Sequence, residues 1–311
     1  MTQVNRREFL LTSTAVGVGL MAAGRLDAAP FKTTLHKAMC IGEPKEETFK
    51  ALKDAGFEGA EPRAGNVTPE QAAAIREMAE KIGIRIQSVM GGGSPNGLHV
   101  AAAYGAAAVL HVPGGVRNVP MPEPWEFDIE FDETNGHLTR VIQGDNAKYQ
   151  DYIEAHNRSM DSARENVKKL IPIAEETKVV IALENVWNNF CVKPSIFKWM
   201  VASFQSPWVK AYFDVGNHVK YLTPPEVWIR EFGPLLGQVH IKDFKLNPDN
   251  RGGRFVHPRD GSVNWPAVRQ ALDDAGYNGW LTIEDGGIPL AEFNQRLDLI
   301  IAGHATRVTT H

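Results

Sequence analysis

The stretch VVIALEN, residues 179–185, decides the fold: five apolar residues, three of them β-branched, run straight into the carboxylate of Glu184. A run this short and this apolar reads as a strand buried on both faces, as in parallel sheets. Seven similar runs occupy residues 37–41, 59–62, 85–90, 108–112, 209–214, 238–243 and 280–284. Helical patterns fill the intervals. Residues 69–82 (PEQAAAIREMAEKI) put Ala72, Ile75, Met78, Ala79 and Ile82 on one face and stop at Gly83. Residues 151–178 set Leu170, Ile173 and Ala174 inward, with Arg164, Glu165, Lys168 and Lys169 in solvent. Strand and helix alternating eight times predict an α/β protein, a single (β/α)₈ TIM barrel over residues 31–311. No glycine-rich phosphate fingerprint favours a doubly wound open sheet instead. Two places depart from the pattern. Residues 91–107 leave room for only a short third helix, and the proline-, aspartate- and aromatic-rich segment 114–148 reads as an insertion covering the barrel mouth.

A chain of 311 residues fits one such barrel, and 43% hydrophobic residues are enough to fill its core. The net charge of −4 supplies no basic excess for phosphate backbones, so no nucleic-acid partner is expected. Cys40 and Cys191 make neither a disulfide framework nor a zinc motif and read as buried thiols. At the N-terminus, Arg6-Arg7 and Phe9-Leu10 precede a weakly apolar run, residues 11–23, too short to span a bilayer. Residues 1–30 therefore read as a twin-arginine signal peptide, with cleavage near the small residues Ala28 and Ala29. The expected location is periplasmic, with no membrane anchor once the signal is removed. Folded export also suits a metalloprotein, because the ion is loaded before tighter-binding competitors are met.

Four of the runs end in groups their apolar character does not prepare for: Glu184, Asp214, His240 and Glu284. Strand alternation puts Glu184 on the face of Val180 and Ala182, Asp214 with Tyr212, His240 with Lys242, and Glu284 with Thr282. All four then converge on the C-terminal mouth of the barrel. Singly, each has a plain structural use as a helix cap or a satisfied polar residue. Together, three carboxylates repel unless a cation or protons compensate, and one divalent ion (Mn²⁺, Mg²⁺, Co²⁺ or Zn²⁺) suits three carboxylates and one imidazole. Lys242 and His218 are candidates to steady oxygen charge, Asn188 and Asn217 to orient hydroxyls, and Trp187 to stack on a sugar face. Glu61, His111, Arg254 and His257 are further candidates for substrate contact.

The strings IALENVWNNF (181–190), YFDVGNH (212–218), VHIKDFK (239–245) and TIEDGG (282–287), with GSVNWPAVRQAL (261–272), resemble the xylose-isomerase-like TIM-barrel sugar isomerases and epimerases. The likeness covers about residues 37–301 and is strongest in the second half. LENVWN and YFDVGN are most similar to the hexulose-phosphate isomerase and pentulose-phosphate epimerase members. The resemblance implies that Glu184, Asp214, His240 and Glu284 hold one divalent ion and that Glu184 and Glu284 form the acid–base pair. The implied chemistry is proton abstraction beside a carbonyl of a ketose or related carbohydrate, through an enediolate that the ion stabilises. Phe190 stands where ketose epimerases carry a second glutamate, and Asn217 or His218 where they carry a histidine, so substrate identity does not carry over. Export argues for a free sugar or an oxidised glycoside over a sugar phosphate. Rival readings are a lyase or hydratase on a keto-sugar, a non-catalytic carbohydrate-binding barrel, and a nuclease of the same superfamily, which the acidic charge disfavours. Barrel faces often self-associate, so a homo-oligomer is a further expectation, with no interface marked in the sequence.

Overall fold

The computed structural model describes residues 30–305; the twin-arginine segment lies outside the described residues. In chain order the elements are β1 (Leu35–Cys40), α1 (Glu46–Asp54), β2 (Gly59–Glu61), α2 (Pro69–Ile82), β3 (Arg85–Ile86), β4 (Ser88–Met90), α3 (Pro95–Tyr104) and β5 (Ala108–His111). There follow β6 (Glu130–Asp132), β7 (His137–Arg140), α4 (Gln150–Thr177), β8 (Val180–Glu184), α5 (Pro194–Ala202), β9 (Val209–Asp214) and α6 (Pro225–Phe232). The chain continues through β10 (Leu236–Ile241), β11 (Asp243–Leu246), β12 (Gly253–Val256), α7 (Trp265–Asp274), β13 (Gly279–Ile283) and α8 (Leu290–Ile301).

Nine parallel strands form one sheet in the order β3-β2-β1-β13-β10-β9-β8-β5-β4. Its two ends belong together, because β3 and β4 are one run interrupted at Gln87. The Gln87 amide donates to the Ala60 carbonyl at 3.2 Å and the Met90 amide to the Pro62 carbonyl at 2.9 Å, which closes the barrel. Nine strands thus fill the eight positions expected. At the break, the fully buried Gln87 side chain donates across the barrel to Thr282 Oγ1 at 2.9 Å.

Helix boundaries follow from local chemistry. Thr68 and Gln71 make a reciprocal capping box ahead of Pro69, and α2 ends at Gly83 in the left-handed conformation, φ 85°. The short third helix is real: Ser94 caps it, Pro95 opens it, and Gly105 ends it after ten residues. In α4 the buried residues Tyr152, His156, Met160, Ala163, Val167, Leu170 and Ala174 recur every three or four positions, a stripe laid on the sheet. Arg164, expected in solvent, instead lies over the Trp199 ring at 5.0 Å.

Two apolar groups divide the core. The larger joins strands to helices; the smaller, Met90, Ala108, Leu110, Ala182 and Tyr212, lies inside the barrel. Ala182 and Tyr212 inside confirm the alternation that turns Glu184 and Asp214 inward. The expected cover meets the mouth only in part: the Val116 amide donates to the Asn188 carbonyl at 2.8 Å, and the Arg251 guanidinium lies over the Trp125 ring at 5.9 Å. Its hairpin, β6–β7, docks on the outer flank of the helices, where the Leu138 amide donates to Asn157 Oδ1 at 2.7 Å and Trp199 Nε1 to the Glu133 carbonyl at 2.7 Å. Phe127, packed on Tyr152 and Tyr221, anchors the rest.

The mouth is shaped also by the β11–β12 hairpin and the return loop after it. Asp243, completely buried, gathers that loop by accepting from the amides of Phe244 (2.8 Å), Arg259 (2.9 Å), Gly261 (3.1 Å) and Val263 (3.3 Å) and from the Trp265 indole (3.0 Å). Removing the carboxylate would leave these donors unpaired in a dry site. Asp243→Ala is therefore expected to lower stability by about 3 kcal/mol, seen in urea titration as a lower midpoint at unchanged slope; an unchanged midpoint would show the loop held by other contacts.

Candidate metal centre

The strand register brings the four strand-end groups together. Glu184 pairs with Tyr212 across β8–β9, and His240 pairs with Asp214 on one side and Thr282 on the other. Glu284 follows one residue after β13, its amide donating to the Ile241 carbonyl at 3.3 Å. Ligand atoms of Glu184, Asp214, His240 and Glu284 all lie within 4.8 Å of one another. His240 Nδ1 faces Glu184 Oε1 at 3.2 Å and Glu284 Oε2 at 3.0 Å.

Each ligand is fixed from behind. Asp214 Oδ1 accepts from the amides of Gly216 (2.9 Å) and Asn217 (2.8 Å), which leaves Oδ2 pointing into the cluster. Asn185 brackets the same aspartate, accepting its amide at 2.7 Å and donating to its carbonyl at 2.9 Å. His240 Nε2 meets Glu61 Oε2 at 2.7 Å. Glu61 in turn accepts from Tyr212 OH at 2.9 Å and Ser88 Oγ at 2.9 Å, with Cys40 Sγ at 3.4 Å. A carboxylate on one imidazole nitrogen fixes the ring and frees the other nitrogen as a ligand.

Burial and mutual repulsion set the charges of the cluster. Burial raises Glu184 to about 7, with Asp214 and Glu284 adding repulsion. Burial raises Asp214 as well. Burial would also raise Glu284, yet the His240 hydrogen bond and the charges of His240 and Lys242 hold it down to about 2. Burial opposes charge on His240, but Tyr212, Cys40 and Glu61 around the ring raise it well above its ordinary value. Lys242 Nζ stands 2.8 Å from Glu284 Oε2 and 3.3 Å from Asp214 Oδ2. Asp214 Oδ2 and Glu284 Oε2 are buried and meet Lys242 as ion pairs whose geometry does not complete a hydrogen bond. Two carboxylate oxygens held chiefly by charge beside an imidazole nitrogen fit a hard divalent ion.

The remaining predicted site residues divide. Lys242 is in the cluster. Trp187, 45% exposed, sits at the mouth with its indole N–H on the Asn217 carbonyl. Arg254 and His257 border a cleft of about 430 Å³ that also touches Lys242 and Glu284, and His257 Nδ1 is 2.8 Å from Asp285 Oδ2. Glu61 lies beneath His240 with no exposed surface, so it supports the imidazole and does not face a substrate. Asn188 donates to the Gly114 carbonyl at 2.7 Å and Asn217 to the Asn185 carbonyl at 2.9 Å, so both amides shape loops. His218 is buried on Tyr221 and Trp228, with Asn185 Nδ2 at 3.1 Å from its Nδ1, and burial lowers it to about 3. His111 turns away from the interior toward the loop before α3, where a methyl added at Gly93 would fall 1.9 Å from its Nδ1. Cys191 is buried as expected, but Cys40, read as a buried thiol, is free and only partly buried; it touches Glu61 and His240, and desolvation pushes it up to about 12. Asn185 and Ser88 escaped notice because their partners come from other strands.

Two outcomes follow. The ion requires Glu184 and His240 without their protons, so Mn²⁺ uptake at pH 6 is expected to release protons and affinity to rise as pH climbs past about 7. Calorimetry in buffers of different ionisation enthalpy measures this; uptake without proton release would contradict it. Glu61→Gln, which keeps the shape and loses the charge, is expected to weaken Mn²⁺ binding roughly 10–100-fold with little change in Tm. Unchanged affinity would leave Glu61 a packing residue.

A family profile for the xylose isomerase-like TIM barrel matches residues 49–299. Among solved structures, a 3-keto-D-glucoside 4-epimerase from E. coli, in its apo form, superposes with TM-score 0.63 at 13% identity, covering 86% of this chain and 100% of that one. A probable 3-DHS dehydratase from Bacillus anthracis gives 0.61 at 11% identity, covering 86% and 98%. A xylose isomerase-like TIM barrel protein from Mycobacterium smegmatis, in complex with magnesium, gives 0.55 at 19%, covering 84% and 89%. No curated protein matches the chain in sequence. Likeness at such low identity speaks for the fold, whereas the family profile begins within α1, ends within α8 and spans every barrel strand but β1: the chain belongs to the xylose isomerase-like TIM barrel family.

Proposed function

We propose that this barrel is a divalent-metal-dependent isomerase or epimerase that moves a proton beside the carbonyl of a ketose or keto-glycoside. The observation that carries the reading is the pair of glutamates, Glu184 and Glu284, flanking His240 Nδ1 at the barrel mouth within one four-ligand cluster. Glu184, Asp214, His240 and Glu284 would hold the ion. When bound, it supplies Lewis-acid polarisation of the substrate's carbonyl and neighbouring hydroxyl oxygens, which acidifies the intervening C–H.

The chain's own groups do the rest. One glutamate takes the proton from carbon at a carboxylate oxygen, and the other returns it. Return to the opposite face of the same carbon inverts it; return to the neighbouring carbon, with the hydroxyl proton passing to the former carbonyl oxygen, exchanges ketose for aldose. The Lys242 ammonium, beside Glu284 and on the cleft side of the cluster, lies within reach of a developing oxygen charge. Trp187 and Phe255, ring centroids 4.7 Å apart and both exposed, offer an apolar surface for a sugar ring at the entrance.

The deciding experiment is proton exchange from deuterated water into free ketoses and 3-keto-glycosides by Mn²⁺-loaded protein. Deuterium is expected in recovered or rearranged sugar, falling by about 10²–10⁴-fold in Glu184→Gln. Loss of a β-substituent in the products would identify a lyase using the same base. Absence of exchange with every metal and sugar, despite sugar binding, would mark a carbohydrate-binding barrel instead.

A further inference from the structure

The β11–β12 hairpin, which forms one rim of the cleft, has an unfavourable charge arrangement. Its antiparallel register sets Lys245 directly opposite Arg254. Cross-strand partners share one face, and like charges there repel. A neighbouring acid is the ordinary remedy, but the three acids bordering the cleft are engaged elsewhere. Glu284 pairs with Lys242 at 2.8 Å, Asp285 with His257 at 2.8 Å, and Asp260 with Arg296 at 2.9 Å. Neither Lys245 nor Arg254 forms an ion pair among the described residues. Both border the same cleft of about 430 Å³ as Lys242 and Glu284.

The hairpin is not a casual surface turn. Asp243 fixes its base through the return loop, and Phe244 packs edge-on against Phe255 at 5.4 Å on the other face. Two cations are thus held opposite one another on a firm support, along the cleft that reaches Glu284. A bound anion converts that repulsion into two charge-assisted contacts, a planar fork from arginine and a point charge from lysine.

We propose that Lys245 and Arg254 form an anion subsite, so that the sugar handled at the carboxylate cluster bears an oxyanion, a carboxylate or a phosphate, remote from the carbon that exchanges its proton. This rests on the proposed reaction only in placing the carbonyl end of the sugar at Glu184 and Glu284. It departs from the neutral substrate that export suggested.

The test is calorimetric titration of metal-loaded protein with one 3-keto-glycoside in three forms: neutral, oxidised to the 6-carboxylate, and 6-phosphorylated. Wild type is expected to bind at least one charged form about 10-fold or more tighter than the neutral one. The charged arms show which oxyanion the site takes. In the Lys245→Gln/Arg254→Gln double variant the ratio of charged to neutral affinity is expected to fall to about one, and added salt should shrink the wild-type ratio. Equal binding of all three forms by wild type, or a preference surviving in the double variant, would overturn the subsite. Deuterium exchange on the same samples separates the two ideas. Exchange without charge preference removes the subsite alone; charge preference without exchange removes the proposed reaction and leaves the subsite standing.

Discussion

Three carboxylates and an imidazole, with ligand atoms inside 4.8 Å, are the constraint around which the rest of this barrel is arranged. Such a group cannot be buried as bare charge, since desolvation and mutual repulsion both penalise it. The fold offsets the cost in several ways at once. Lys242 lies against two of the carboxylates, two amides and Asn185 hold Asp214, and Glu61 holds the far side of His240. Burial also raises Glu184, and the groups around the ring raise His240, which favours protons on both. A divalent ion held by the four groups would replace those protons with a charge shared by the carboxylates.

That arrangement goes with a mixed interior. Ala108, Leu110, Ala182 and Tyr212 pack inside the barrel, yet polar contacts run among them: Gln87 with Thr282, and Glu61 with Ser88, Tyr212, Cys40 and His240. Buried polar groups with partners on several strands hold one another in place. Glu61 gives His240 Nε2 a fixed partner and so turns Nδ1 toward Glu184 and Glu284.

Around the mouth, rigidity and openness are separated. Loops bearing Asn188, Asn217 and His218 are locked by their own side chains, whereas the hairpin beyond β10 exposes Phe255, Lys245 and Arg254 toward the cleft. The 114–148 insertion adds bulk on the helical flank, where its backbone finds donors and acceptors on α4 and α5. The carboxylate cluster is thus confined to strand ends, and the exposed groups around the mouth to one hairpin and one tryptophan. This division is what a barrel permits, since its loops vary without disturbing the strands.

The sequence by itself determined the alternation of strands and helices and the inward face of the four strands that end in Glu184, Asp214, His240 and Glu284, because period-two patterning and short apolar runs are local properties. It also marked a short third helix, through the little room left in residues 91–107. Only the tertiary structure decided that Glu61 serves His240 and not a substrate, that Asn217 and His218 face loops, and that Lys245 opposes Arg254. Each of those facts depends on register between strands far apart in the chain: Glu61 and His240 are separated by 179 residues. A one-residue slip would exchange every inward and outward side chain. Registers are set by packing of the whole barrel, which no local stretch of residues encodes.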